Sequence, residues 1–414
     1  MNQIRVLKES VYKILTEKKS LEESFSHLHV LASSKEEEES LKKDLLFLLR
    51  HYRTLSFETL NLAPFKEGSD GFLFSLVSLS LLREGKNEDH SKEYASALKE
   101  MGSKEDPSAL YVSFKKETLT PFKIPEEVKS SPNYYPSLLF EMPEFLFRRL
   151  ASDYGREAAF RIASASHKKN AFYYESYKEG ENPASLKEIS LSPFDTIEES
   201  DTPLKGDIKS SYFPVSYIKS LGASTLPLPP LNPNILLLSP RSFALPLHFA
   251  LKTRDSFKAT VDVTVDSLPL YRKLMDVHYQ ERVEGLHVLP VSPKLAKTLL
   301  SFDSYDAVIY EGEDLGLGRS KSHPEVFVSL EEKDFALSYQ RQLASLVEAA
   351  QFVKPGSYLL FVNNGIEKEE TTKIKEAFLQ REKKFTLKEE KLLLPSESKQ
   401  EAGYYALFQK GIKA

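Results

Sequence analysis

Cysteine is absent from this chain of 414 residues. Without a thiol, the protein cannot form a disulfide, bind a metal ion through thiolate ligands or use a cysteine as a nucleophile. The chain also lacks an excess of positive charge, since its net charge is −4 and its pI is near 6.2. This composition excludes a generally basic protein that coats nucleic acid, because such binding depends on many lysine and arginine contacts to phosphate.

Long apolar runs are scarce as well. The longest, Phe72 to Leu82, is too short to span a bilayer and contains serines. Met1 to Leu15 is an amphipathic charged segment rather than a basic end followed by an apolar block, so no secretory signal is recognisable. We therefore expect a cytoplasmic protein with neither a membrane nor DNA among its partners.

The N-terminal part of the chain has a helical pattern up to about residue 119. Ile4, Leu7 and Val11 begin an apolar face at helical spacing, and the run Phe72 to Leu82 is apolar on all sides, which predicts a buried central helix. Four prolines between Thr120 and Pro136 predict a linker. The sequence thus indicates an all-α domain over residues 1–125.

A smaller α/β subdomain is predicted over residues 137–225. Pro143 is suited to the first turn of a helix, and Ala171 to Tyr177 is an aromatic-rich strand. The polar, acidic stretch Leu191 to Ser211 is interpreted as a surface excursion, and the prolines between Leu226 and Pro233 predict a second linker.

From Asn234 onward, short apolar strands alternate with helical segments and end in two strands. Such alternation is typical of a doubly wound parallel sheet, here over residues 234–414 and closed by a hairpin. The fold class predicted for the whole chain is α/β, with the all-α domain at the N-terminus.

The stretch Tyr305 to Glu325 is the candidate active-site loop. It begins with a short apolar strand, is interrupted by Gly312, Gly316 and Gly318, and ends in His-Pro-Glu. Loops at the carboxyl edge of a parallel sheet are where ligands bind in this class of fold.

This pattern resembles the Sun/RsmB family of bacterial rRNA cytosine methyltransferases, whose corresponding stretch has D-A-P-C-S-G-L-G and then H-P-D. The resemblance implies a NusB-like helical domain, a Rossmann-like domain that binds S-adenosylmethionine, and methylation of carbon 5 of cytosine through a thiolate. The chain departs from the family at the cysteine, where Asp314 stands. The family's second cysteine follows K-P-G, which is kept as Lys354 to Gly356, and its position holds Asn364.

The family's cofactor loop, D-L-C-A-A-P-G-G-K-T, aligns with Leu237 to Pro246, and its two glycines fall at Phe243 and Ala244. We therefore expect no bound cofactor. Asp262 stands where the family's second strand offers a carboxylate to the ribose, so it is the remaining candidate for cofactor binding; the alternative is a helix cap or a solvated loop residue.

RNA contacts are predicted at basic pairs, with solvated helix ends and loops as the alternative for each. These candidates are Arg50 and Arg53, Arg148 and Arg149, and Lys168 and Lys169. The family's R-x-N on the preceding strand is replaced by Glu175 and Tyr177, which removes a cation from that surface. Tyr173 and Tyr174 are interpreted as core residues.

No metal site is predicted. Glu311, Glu313 and Asp314 could hold a divalent cation or raise the pKa of one of their carboxyl groups, but an acidic surface loop is the preferred interpretation. His323 is interpreted as a residue that orders its loop.

Three functions remain open. The first is a catalytically degenerate methyltransferase homologue that acts as a scaffold for rRNA, a ribosomal precursor or an assembly partner. The second is an active RNA methyltransferase that uses S-adenosylmethionine with non-standard residues. The third is a protein-interaction scaffold without RNA, favoured by the acidic pI.

Overall fold

The computed structural model describes residues 2–85, 89–166, 171–176, 187–192, 195–200, 212–256, 259–281, 285–396 and 402–412. The chain forms two compact units. The helical unit comprises Met1–His167 and Ser322–Glu332, and the sheet unit comprises Lys168–Lys321 and Lys333–Ala414. Lys168, Lys169 and Tyr177 lie outside the described residues.

The helical unit contains α1 Gln3–Glu17, α2 Leu21–Leu31, α3 Lys35–Arg50, α4 Tyr52–Leu62, α5 Asp70–Arg83, α6 Ser91–Glu100, α7 Pro107–Thr118, α8 Glu126–Lys129, α9 Tyr134–Leu139, α10 Glu144–Tyr154 and α11 Arg156–Ala165. A short later helix, α16 Glu325–Ser329, belongs to the same unit. As predicted, α5 is the buried centre: Phe72, Leu76 and Val77 have no exposed surface. No helix in the described ranges is both long and apolar enough to cross a membrane.

The proline-rich stretch before residue 137 is more ordered than a linker. It contains α8 and the start of α9, and Pro136 lies in the first turn of α9, where a missing N–H is tolerated. Helices α9 to α11 belong to the helical unit, whereas the strands that follow them belong to the sheet unit. The region assigned to one middle subdomain is therefore divided between the two units.

The first four strands are β1 Phe172–Ser176, β2 Lys187–Ser192, β3 Asp195–Ser200 and β4 Tyr212–Val215. They pair antiparallel in the order β2-β3-β1-β4. The prediction of a surface excursion from Leu191 to Ser211 is wrong for β3, because its Ile197 faces the core beside Tyr173. Alternation of one apolar side chain with polar neighbours was too short a signal to separate a strand from a loop.

The main sheet confirms the predicted doubly wound architecture. Its strands are β5 Asn234–Leu238, β6 Thr260–Thr264, β7 Leu286–Leu289, β8 Tyr305–Glu311, β9 Val353–Asn363, β10 Phe385–Leu393 and β11 Gly403–Lys410. The accompanying helices are α12 Tyr217–Ser224, α13 Ala244–Ser256, α14 Leu268–Glu281, α15 Pro293–Leu299, α17 Glu332–Ala350 and α18 Thr372–Arg381. The strand order is β10-β11-β9-β8-β5-β6-β7; β9, β8, β5, β6 and β7 pair in parallel, and β11 is antiparallel both to β9 and to β10, with which it forms the predicted hairpin.

The direction of strand succession reverses between β5 and β8. These two strands are parallel neighbours, with Leu238 of β5 opposite Tyr310 of β8 near their carboxyl ends. The crevice outside such a reversal is the ligand site of open α/β sheets. The loop that follows β8 is therefore at the position that the sequence predicted for the active-site loop.

Burial raises the pKa of a carboxyl group in each unit, most strongly at Glu141 in the helical unit and at Glu370 in the sheet unit. Glu141 accepts hydrogen bonds from Arg53 N (2.7 Å) and Thr54 Oγ1 (2.5 Å) at the start of α4, and burial raises its pKa to about 7. Glu370 is fully buried and accepts from Ser338 Oγ at 2.5 Å. Burial and the nearby charge of Asp314 raise the pKa of Glu370 to about 8.

The Glu370 carboxyl should make the stability of the protein depend on pH. Its folded pKa lies above its unfolded value, so the folded state binds more protons between the two values, and the free energy of unfolding falls as the pH rises through this interval and levels off above about 8. The variant Glu370→Gln mimics the neutral carboxyl and should remove up to about 1.4 kcal/mol per pH unit of this slope. Urea unfolding between pH 6 and pH 9 measures the difference.

The exposed Glu376, on α18, provides the matched control. Glu376→Gln should leave the slope unchanged, and Glu141→Gln should reduce it through the helical unit. An unchanged slope in Glu370→Gln would show that Glu370 is ionised in the folded protein at neutral pH.

Candidate functional site

The turn after β5 connects the first strand of the sheet to α13. Ser239 adopts a left-handed conformation, with φ of 48°, and its N–H donates to Thr264 Oγ1 at 3.2 Å. The N–H of Arg241 donates to Glu311 Oε2 at 2.9 Å. The turn is therefore hydrogen-bonded to the carboxyl ends of both neighbouring strands, β6 and β8. Ser239 is strained, because residues with a Cβ rarely adopt the left-handed conformation.

Glu311, the last residue of β8, contacts two other segments at the carboxyl edge of the sheet. Its side chain is 1% exposed and forms an ion pair with Lys219 of α12, whose side chain is 10% exposed. Since an unpaired charge at such a position costs several kcal/mol, the two groups must be kept together. One oxygen of Glu311 binds the ammonium group, and the other binds the N–H of Arg241.

The three acidic residues of the loop do not converge on one point. Glu311 binds Lys219, and the exposed Glu313 forms an ion pair with the guanidinium group of Arg241 at 2.7 Å. Asp314 makes its own bonds to the backbone of the loop and of the next strand. The alternative of a shared cation site at this cluster is therefore not supported.

Asp314 and Asn364, the residues at the family's two cysteine positions, are in direct contact. Asp314 Oδ2 accepts from the N–H of Asn364 at 2.7 Å, and Oδ1 accepts from the N–H of Gly316 at 2.6 Å. The carboxylate thus closes its own loop and joins it to the end of β9. The two residues that the resemblance aligns with the family's cysteines are therefore hydrogen-bonded neighbours in this structure.

The loop is also fastened through its backbone. Gly318 N donates to Asn364 O at 2.7 Å, and Ala402 N donates to Gly318 O at 3.2 Å. A Cβ on Gly318 would lie 2.2 Å from the Ala402 oxygen, so this position requires glycine. Asn364 is fully buried, and its Oδ1 has no hydrogen-bond partner within the described ranges.

Asp262, the candidate for ribose binding, lies in the middle of β6 rather than at its carboxyl end. Its carboxylate accepts from the hydroxyl of Tyr305 at 2.6 Å and lies 2.9 Å from Nδ1 of His287. Tyr305 begins β8, so Asp262 is directed away from the carboxyl edge, where ligands bind. The exposed Asp266, just beyond β6, is the acidic residue at the carboxyl end of this strand, where a ribose-binding carboxylate is expected.

The basic residues predicted to contact RNA differ in their exposure and in the contacts that they make. Arg50 is exposed in the last turn of α3, and Arg148 is exposed and forms an ion pair with Glu332 at 3.2 Å. Arg149 is half-buried. Arg53 is half-buried, and its guanidinium donates to Phe327 O at 3.0 Å within the helical unit.

The strand that carries the family's arginine has a different role here. Tyr173 and Tyr174 of β1 are buried, as predicted for core residues. Glu175 is buried as well, and its carboxylate lies 3.0 Å from Nδ1 of His248 on α13. None of these three side chains is placed to contact an RNA phosphate.

No protein-family model matches the sequence, and no curated protein matches it significantly. Solved structures do match the fold. The protein PH0851 has a TM-score of 0.74 with 15% identity, covering 99% of this chain and 98% of its own.

Two further structures, both from Pyrococcus horikoshii, match about two thirds of the chain. A methyltransferase homologue protein has a TM-score of 0.55 and 13% identity, covering 67% of this chain and 98% of its own. NSun6, whose structure was determined with SFG, has a TM-score of 0.55 and 12% identity, covering 66% and 99%. Likeness at these identities shows the fold: a helical N-terminal region followed by a Rossmann-like methyltransferase domain.

Proposed function

We propose that this protein uses a methyltransferase fold to bind RNA, or a particle that contains RNA, and does not methylate cytosine through a thiolate. The observation that carries the proposal is the role of Asp314. This residue stands at the position of the family's cysteine, and both of its carboxylate oxygens accept backbone hydrogen bonds. A carboxylate is a poor nucleophile toward an unsaturated ring carbon, and the chain contains no thiol to replace it.

The second cysteine position supports the same conclusion. Asn364 is neither an acid nor a base in the physiological range, and its backbone holds Asp314 and Gly318. The two positions that carry the chemistry in the family therefore serve here to join the loop after β8 to the end of β9.

The residues after β5 do not fit S-adenosylmethionine in the manner that the resemblance implies. A glycine-rich turn would let the backbone approach the cofactor and leave its N–H groups available. Here Phe243 and Ala244 replace the glycines, and the N–H of Arg241 is used by Glu311. The ion pair of Glu311 with Lys219 is buried at the same edge.

RNA is the ligand favoured by the resemblance to rRNA methyltransferases. The described surface adds one physical feature. Lys43 and Arg50 lie two turns apart on α3, so they share a face of that helix; both are exposed, and Lys43 lies 3.2 Å from a carboxylate oxygen of Glu84. A pair of cations at this spacing can contact phosphates along one strand.

An active methyltransferase with other chemistry is the second candidate. The fold itself favours it, together with the NSun6 structure determined with SFG. Calorimetric titration distinguishes the two. Under the proposal, neither S-adenosylmethionine nor SFG should produce binding heat with this protein at concentrations up to about 1 mM, a Kd range in which the binding free energy is only about −4 kcal/mol.

NSun6 from Pyrococcus horikoshii, titrated with SFG, serves as the positive control for this measurement. Binding of either compound to the present chain at micromolar strength would overturn the non-catalytic proposal. It would also show that the turn after β5 rearranges, since Arg241 N would have to leave Glu311.

The RNA part of the proposal predicts a salt-dependent affinity. Fluorescence anisotropy with a labelled RNA hairpin should give a Kd that rises with salt, and the double variant Lys43→Glu, Arg50→Glu should raise the Kd about tenfold at low salt, with a smaller salt slope. Arg161→Glu is the matched control, because Arg161 is an exposed arginine of the same unit that pairs with Glu157. Binding that is absent, or equal in the double variant and the control, would favour a scaffold for proteins.

A further inference from the structure

Three side chains from distant parts of the sequence meet in the helical unit, outside the site described above. Glu22 lies in the first turn of α2, His323 precedes α16, and Glu325 begins α16. One ligand atom from each lies within 4.8 Å of the other two. The proposed function uses none of these residues.

Glu325 contributes a buried carboxylate to this cluster, and one of its oxygens lacks a hydrogen-bond partner among the described residues. The residue is only 6% exposed, and its Oε1 accepts from the N–H of Leu21 at 3.2 Å. Its Oε2 is buried and has no hydrogen-bond partner among the residues that the structure describes. A buried carboxylate oxygen requires a donor or a cation, so the orphaned atom indicates a ligand.

The three groups are close enough to share one ion, although His323 and Glu325 are also within hydrogen-bond distance of each other. His323 Nδ1 lies 3.2 Å from Glu325 Oε1 and 3.5 Å from Glu22 Oε1. Two ligand atoms that each lie about 2.1 Å from a tetrahedral zinc ion are separated by about 3.4 Å. The three groups therefore need little movement to surround an ion.

The donor set selects the class of ion. One imidazole with two carboxylates suits a borderline metal such as Zn²⁺ better than Mg²⁺, which prefers oxygen ligands throughout. With three protein ligands, the fourth position is left for water.

We propose that Glu22, His323 and Glu325 form a binding site for a single zinc ion. The ion joins the start of α2 to the segment Ser322–Glu332 within the helical unit. Lys18 already contacts the same segment, donating to Ser329 O at 2.5 Å and pairing with Glu331 at 3.1 Å. Zinc binding therefore strengthens an attachment that the fold makes by other means.

The test uses the full chain after removal of metals with a chelator, followed by calorimetric titration with zinc chloride. We expect one ion per chain, a rise in the unfolding temperature with zinc, and no comparable effect of magnesium chloride. His323→Gln should weaken zinc binding at least tenfold. Glu22→Gln, at an exposed position where folding is not at risk, should weaken it several-fold.

His29→Gln is the matched control. His29 belongs to the same helix as Glu22 and pairs with one carboxylate, Glu38, at 2.7 Å. Its replacement should leave zinc binding unchanged. The proposal is overturned if the parent chain binds no zinc, if His323→Gln binds zinc as tightly as the parent, or if His29→Gln loses as much affinity as His323→Gln.

Discussion

The carboxylate of Glu311 is the contact on which the carboxyl edge of the main sheet depends. It ends β8, binds the ammonium group of Lys219 from α12, and accepts the N–H of Arg241 from the turn after β5. Both charges are buried, so each needs the other. A single anion therefore holds together three segments at the point where an open α/β sheet normally receives its ligand.

The loop beyond Glu311 follows from the same constraint. Once β8 and the first turn are held in place, Asp314 joins its own loop to Asn364, and Gly318 fits closely beneath the start of β11. After Lys321 the chain enters the helical unit, where the segment Ser322–Glu332 packs, before it returns to the sheet unit. The loop at the usual catalytic position is thus fastened along its length, which favours a structural role over a nucleophilic one.

Much of the fold was predictable because its signals are local. The all-round apolar run in α5 and the alternation of strands and helices after Asn234 depend on periodicities within single elements. The pairing of Asp314 with Asn364 was reachable only through resemblance to a family. Asp262 shows the limit of such signals, because its carboxylate accepts a hydrogen bond from Tyr305, which is distant in the sequence.

By itself, the sequence determined the absence of thiol chemistry and the alternation of strands and helices after Asn234, since these depend on residue identity along the chain. Only the tertiary structure decided that the guanidinium of Arg53 donates to Phe327 O, and that Glu22 lies beside Glu325. The physical reason is that the state of a polar side chain depends on its surroundings. Those surroundings come from residues far away in the sequence, which no local pattern records.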